Sequence, residues 1–334
     1  MHYIVFDLEW NQGKLGKKDR HHEQIPFEII EIGAVKLDEN KAPIDRFQEL
    51  IKPKVYRDMP QIIERMLHVN MKQLSQCRPF VSVCGDFLNW CGEDAVFCTW
   101  GNQDLLELQR NMQYFRMEPL EMGPFAYLDV QKLFSIDCED GKSRRNLEYA
   151  IDFLRIEKKE EFHRASADAY YTAKVFEQLE KDVEQYCSYD VFTLPKTPEQ
   201  EIHKIFPGYS KYISRSFPNK AAAMADKEVS SMRCYICDKN VRKKVRWFSP
   251  TGRFFIGVSQ CPVHGYIKHK VRLRNHALSS SGSDNVYVDK TQKLIDEQKL
   301  SVIMEKRDKV LEAQKKYQPV KRKTRKTKKD QPKD

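Results

Sequence analysis

Residues 2–10 (HYIVFDLEW) and 29–37 (IIEIGAVKL) are almost continuously apolar, and 46–52 is a third, shorter run. Runs of this length without helical spacing predict β-strands, the first two buried on both faces. Helical spacing follows over 60–74 and 80–92. AVFCTW at 95–100 reads as a further strand, then a helix near 103–115, a short strand at 126–130, a helix at 146–154 and a long helix at 166–186. Strands first, then a βα alternation, then helices predict an α/β fold with a mixed sheet between helices.

The pattern changes at residue 187. Pro195, Pro198, Pro207, Gly208 and Pro218 interrupt it, and 187–230 reads as a linker with a short helix near 198–205. Residues 231–276 form a small Cys/His module. Residues 277–288 read as a hinge, 289–318 as a helix and 319–334 as a disordered basic tail.

Charge sharpens this division. The 334-residue chain carries +10 overall, but residues 1–186 sum to −8 and 187–334 to +18. An acidic half joined to a basic half suggests that one part holds cations and the other a polyanion. No apolar run reaches 18 residues, which excludes a membrane-spanning helix. The N-terminus lacks the basic start and cleavage site of a signal peptide, so a cytoplasmic location is expected. Cys77, Cys84, Cys91, Cys98, Cys138 and Cys187 are scattered and fit reduced, structural thiols.

The informative acids stand where apolar residues belong. Asp7 and Glu9 are two apart on the first strand and share one face. Two like charges in a buried strand are costly without a counter-cation. Asp104 opens the helix after the 95–100 strand. In HRASADAYYTAKVF, His163 precedes Asp168 by five residues, and Asp168 lies in the first turn of a helix whose alanines imply close packing. Each of these, taken alone, also fits an exposed strand edge or a helix-start acid answering the helix dipole.

Together, FDLEWN, EIIEIGAVKLD, FQELIKP, TWGNQDLLEL and HRASADAYYTAKVF resemble the DEDDh, or DnaQ-like, 3′→5′ exonucleases on an RNase H-like fold. The resemblance covers about residues 1–186. The TWG and HRA wording resembles the enhanced-RNAi-type branch, and similar bacterial proteins are linked to inhibition of a sporulation kinase pathway. The resemblance implies that Asp7, Glu9, Asp104 and Asp168 hold two Mg²⁺ or Mn²⁺ ions. It implies that His163 takes a proton from the attacking water, and that nucleoside 5′-monophosphates leave a single-stranded 3′ end. It also points to Trp10, Leu67 and His68 as substrate contacts, and to Asp129 as structural. Relatives commonly carry L-T-G-I where this chain has Leu67-His68-Val69-Asn70.

Cys234-Tyr-Ile-Cys237 and Cys261-Pro-Val-His264 stand 23 residues apart. Three thiolates and one imidazole at this spacing predict a closed structural zinc site, with a β-hairpin around Ser249–Gly252. His269 is a substitute for His264. The module reads as a zinc ribbon. Arg246, Trp247, Lys270 and Arg272 stand out in it as nucleic-acid contacts, since cations interleaved with aromatics suit single strands. Lys268, Lys270, Arg272 and Arg274 alternate, which places four cations on one strand face. The expected whole is a metal-dependent 3′→5′ exonuclease on single-stranded nucleic acid, RNA before DNA, with the ribbon and tail aiding capture. The alternatives are a DNA exonuclease and a regulatory protein that keeps the fold but acts through a partner.

Overall fold

The computed structural model describes residues 1–12, 24–160, 162–275 and 285–316. They fall into two units, Met1–Gln200 and Glu201–Asp334.

The first unit is built on β1 (His2–Asn11), β2 (Glu28–Leu37), β3 (Pro43–Lys52), β4 (Arg78–Pro79), β5 (Ala95–Thr99), β6 (Phe125–Asp129) and β7 (Ser188–Asp190). They form one sheet in the order β4-β3-β2-β1-β5-β6-β7. β1 runs antiparallel to β2 and parallel to β5, so the sheet is mixed, as the pattern predicts. Its helices are α1 (Gln61–Leu67), α2 (Met71–Leu74), α3 (Phe80–Cys91), α4 (Gln103–Tyr114), α5 (Val130–Cys138), α6 (Leu147–Phe153) and α7 (Ala165–Gln178).

The two-residue period of β1 sorts its side chains between two cores. Ile4, Phe6 and Leu8 pack with Phe87 of α3 and Leu105 and Leu108 of α4. Tyr3 and Val5 pack on the other side with Phe134 of α5, Ile151 of α6 and Tyr171 and Phe176 of α7. Asp7 and Glu9 continue the Tyr3–Val5 row, toward the start of α7.

Three helical expectations change. The 60–74 helix is two short helices, because His68 adopts a left-handed conformation (φ 53°) that ends α1. The 166–186 helix stops at Gln178. Leu179 is buried and extended, Lys41 Nζ donates to its carbonyl at 3.0 Å, and Lys181–Tyr186 forms a 3₁₀ turn. Helix α5 was not expected; Asp129 caps it by accepting the Lys132 N–H at 2.9 Å, the structural role foreseen for that acid.

The second unit holds β8 (Ile202–Phe206), β9 (Tyr209–Ile213), β10 (Arg242–Phe248), β11 (Phe254–Cys261), β12 (Gly265–Asn275) and β13 (Val286–Ile295). They form a second sheet, β10-β11-β12-β13-β9-β8, antiparallel throughout. Helices α8 (Lys220–Ala225) and α9 (Lys227–Ser230) contribute Ala223 and Val229 to a core on one face. Helix α10 (Glu297–Lys316) packs Leu300 and Ile303 on Ile256 and Val258 on the other.

The 187–230 stretch is therefore not a linker: it contains β7, β8, β9, α8 and α9. Its proline and glycine punctuation marks turns, such as Gly208 at φ 80° in the β8–β9 hairpin, and β9 finds its second partner, β13, far along the chain. The expected helix over 289–318 is also revised. Residues to Ile295 belong to β13, and the helix starts after Asp296, which accepts the Lys299 N–H at 2.7 Å. Of the expected hinge, 286–288 lie in β13; residues 277–284 and the 319–334 tail lie outside the described residues. Among the described residues no helix is long and apolar enough to cross a membrane.

Candidate active site

Carboxylate oxygens of Asp7, Glu9 and Asp168 all lie within 4.8 Å of one another. Backbone packing makes this possible. Gly33 on β2 pairs with Asp7, and its bare α-carbon lies against the Ala165–Ser166 peptide of α7. The first turn of α7 thereby reaches the sheet and delivers Asp168. Asp104 arrives from the opposite side of β1. It is buried in the first turn of α4, and its Oδ1 accepts the Leu8 N–H at 3.3 Å, between Asp7 and Glu9 along the strand. Past Glu9 the β1–β2 register shifts at a bulge, a local device that re-aims side chains. His163 is exposed, with φ 66°, five residues ahead of Asp168, and its proximity counters part of the effect of burial on the Asp168 carboxyl.

Crowding these acids makes their protons hard to remove. Burial, then the charges of Asp104, Asp168, Glu9 and Glu31, push the Asp7 carboxyl well above its ordinary range. Burial raises Glu9 to about 8, Asp104 to about 7 and Asp168 to about 6, with neighbouring carboxylates adding to each. Such a group holds either protons or cations. Asp168 Oδ1 is buried with no hydrogen-bond partner among the described residues. Hard oxygen donors, one left without a donor, fit Mg²⁺ or Mn²⁺ rather than a thiol-seeking metal.

Two further residues belong to this site and were not singled out from the sequence. Glu31, 1% exposed, pairs with Glu9 across the strands. Arg164, the residue between His163 and α7, grips it with Nε and Nη2 at 3.0 and 2.9 Å, while Gln48 donates to it at 3.1 Å. The signal was present: Glu31 is an acid within an apolar run, as Asp7 is.

The expected substrate contacts separate. Trp10 is half-buried, its ring 5.3 Å from that of Phe27. Leu67 is a core residue, 1% exposed beside Ile30, Ile63 and Leu74, so the role expected of it does not fit its position. His68 is exposed.

In the second unit, the ligand atoms of Cys234, Cys237, Cys261 and His264 lie within 4.8 Å of one another. Cys237 and Cys261 sulfurs are 3.9 Å apart, and His264 Nδ1 is 3.4 Å from Cys234 Sγ. A zinc tetrahedron with Zn–S of about 2.3 Å has sulfur edges of roughly 3.8 Å, so the set fits. Burial pushes the Cys261 thiol up, but the His264 and Val263 N–H groups outweigh it and bring it down to about 6. The chain between the two knuckles forms the β10–β11 hairpin, turning at Gly252. His269 is not a substitute ligand: it is fully buried, with Ser259 Oγ 2.7 Å from Nε2 and Gln292 Nε2 2.9 Å from Nδ1.

On β12, Ile267, His269 and Val271 are buried, and Lys268, Lys270, Arg272 and Arg274 alternate with them on the other face. The strand register continues this face through Lys293 on β13, Lys211 on β9 and Lys204 on β8. Asp289 is the acid among them, 3.7 Å from Lys211 and 3.4 Å from Arg274. Lys270 lies 4.5 Å over the Phe254 ring, and Arg246 and Arg272 are exposed. Trp247 serves the core instead: it is half-buried, and its indole N–H donates to the Ser230 carbonyl at 3.0 Å.

Residues 4–176 match the family model described as Exonuclease (RNase_T). The chain belongs to this exonuclease family. No curated protein matches it. Among solved structures, the nuclease domain of 3′hExo, a DEDDh family member bound to rAMP, is similar at 17% identity and a TM-score of 0.46, over 53% of this chain and 90% of that one. Cell-death related nuclease 4 gives 15% and 0.44, over 53% and 62%. Exonuclease I gives 13% and 0.47, over 81% of this chain and 55% of its own. The family match lies within the first unit and spans the strands and helices that carry the carboxylates.

Proposed function

We propose that the first unit is a 3′→5′ exonuclease acting on single-stranded nucleic acid, RNA in preference to DNA, and that the second unit captures the strand. The observation that carries this reading is the meeting of Asp7, Glu9 and Asp168 oxygens within 4.8 Å, with Asp104 tied to Leu8 beside them.

In this reading Asp7, Glu9, Asp104 and Asp168 hold divalent ions. When bound, these ions supply a charge sink for the phosphorane-like transition state and lower the pKa of the attacking water. The chain's own residues do the rest. Exposed His163 accepts the proton of the attacking water. The water oxygen bonds to phosphorus as the P–O3′ bond of the penultimate nucleotide breaks. The terminal nucleotide leaves as a 5′-monophosphate, and the shortened strand regains a 3′-hydroxyl. Arg164, held by Glu31, positions the loop that carries His163. Trp10 and His68 contact the terminal nucleotide.

The second unit supports capture through its charge. The Cys234, Cys237, Cys261 and His264 set holds zinc as a folding staple for the hairpin. The cationic face of β12, β13, β9 and β8 suits a phosphate backbone, with little dependence on base identity. The preference for RNA rests on the TWG and HRA wording.

A time course on 5′-labelled single strands of RNA and DNA of matched sequence, with Mg²⁺ or Mn²⁺, tests the reading. A ladder shortening from the 3′ end, faster on RNA and abolished by Asp7→Ala, is expected. A full-length strand left intact in every condition would refute it.

A further inference from the structure

Two cavities, of about 760 and 640 Å³, share Lys54 and Arg57 as walls. Tyr114, Phe115 and Arg116 close the first, and Lys52 and Met71 help to close the second. Neither is lined by a carboxylate. Residues 1–186 sum to −8, so four cations around one trough run against the charge of their own unit. Lys54 Nζ lies 6.0 Å from the Phe115 ring centroid.

The loop that carries Lys54 and Arg57 is rigidly held. The N–H groups of Lys54, Val55 and Tyr56 donate to the Glu28 carboxylate at 2.6, 2.9 and 2.7 Å, and Glu28 is 1% exposed. Fully buried Asn11 donates from Nδ2 to the Tyr56 and Asp58 carbonyls at 3.1 and 3.0 Å. Asn11 pairs with Glu28 and follows Glu9 by two residues on β1, about 7 Å along a strand. The loop is thus anchored next to the carboxylate cluster.

The aromatic wall is tied to the same region. Asn111 of α4 accepts the Ile29 N–H at 3.1 Å and donates to the Phe27 carbonyl at 2.9 Å, and Phe27 meets Trp10. From Asp104 to Tyr114, α4 rises about 15 Å, the length of a few nucleotides. Asn111 thus ties the helix that ends in Tyr114 to the Phe27–Trp10 pair, and Trp10 follows Glu9 directly.

We infer that this trough is a second substrate subsite, which holds the phosphodiester backbone on the 5′ side of the terminal nucleotide, a few residues from the bond that is cut. Lys54, Arg57 and Arg116 meet the phosphates, and Phe115 offers a face to a base. The inference rests on the exonuclease reading for its substrate, and it makes affinity depend on strand length.

The test uses full-length Asp7→Ala protein without added divalent ion and a fluorescent single strand of about a dozen nucleotides. Anisotropy across a salt series gives the slope of log K against log salt. Replacing Arg57 and Arg116 together by Ala is expected to weaken binding about tenfold and to flatten the slope by about 1.4, two phosphate contacts at about 0.7 each. The corresponding double Lys variant is expected to keep the slope. An unchanged slope in the double Ala variant, or a Lys variant as weak as the Ala one, overturns the trough. Rates on active protein give the second readout. The dozen-mer to dinucleotide ratio of kcat/KM is expected to fall about tenfold in the double Ala variant, and equal losses on both strands overturn the inference. Failure of the exonuclease reading would look different: active protein would cleave neither strand, and the salt slope would still decide the trough.

Discussion

Gly33 and Ala165 touch backbone to backbone: a Cβ built on Gly33 overlaps the Ala165 carbonyl group and the Ser166 nitrogen. Because Gly33 is also the cross-strand partner of Asp7, this contact sets how close Asp168 comes to Asp7. Gly33→Ala is therefore expected to push the start of α7 off the sheet. The cost is about 1–3 kcal/mol of overpacking, and a misplacement near 1 Å is worth about 10²-fold in rate. Urea unfolding and steady-state rates on one strand measure both. A variant with wild-type rate and stability would contradict this account of the site's assembly.

The Glu31–Arg164 pair predicts an asymmetry. Arg164→Ala leaves a carboxylate buried at 1% exposure with Gln48 as its remaining side-chain donor among the described residues. The expected loss is about 1–3 kcal/mol. Adding Glu31→Gln removes the stranded charge and is expected to recover part of it. A double-mutant cycle by urea unfolding reads the coupling, and strictly additive losses would contradict it.

The raised carboxyls give a pH dependence with a definite sign. Glu9, Asp104 and Asp168 titrate at about 8, 7 and 6 when folded, against ordinary values near 4, and Asp7 lies above its own. Between about pH 4 and 8 the unfolded chain has released protons that the folded chain retains, so ion-free stability falls as pH rises. Mn²⁺ replaces those protons. Its stabilisation, read as a rise in Tm, is expected to be larger at pH 8 than at pH 5. An equal rise at both would place the ion elsewhere.

Much of this site was legible because acids interrupt apolar runs. Asp7 and Glu9 stand out in a strand otherwise buried on both faces, and Asp104 and Asp168 open helices that pack on the same sheet. Gly33 was not legible, since its role is set by Ala165, 132 positions away. Residues 289–295 have the polar composition of a helix, with lysines, Asp289 and Gln292, while β12 and β9, on either side, hold them as a strand. The same distance effect hid β9 and, with it, β8. β9 pairs with β13, about 80 residues later, and β8 is the edge strand that pairs with β9 alone. Leu67 and Trp247 show the reverse error: the family resemblance pointed to substrate contact for Leu67, and basic neighbours did so for Trp247, while packing gave both to the core.

The Cys/His set predicts about one zinc per chain by atomic emission. Cys261→Ser is expected to lower that content and to destabilise the second unit, read by urea unfolding, because the site ties together the two ends of the β10–β11 hairpin. Full zinc content in the variant would move the site to other residues.

The most direct test of the central claim is product analysis in ¹⁸O-labelled water with Mn²⁺. Mass spectra are expected to show nucleoside 5′-monophosphates carrying one ¹⁸O, released in order from the 3′ end. His163→Ala is expected to slow release about 10²–10⁴-fold, and Asp7→Ala to abolish it. Nucleoside 3′-monophosphates, internal fragments, or release that persists in Asp7→Ala would contradict the account.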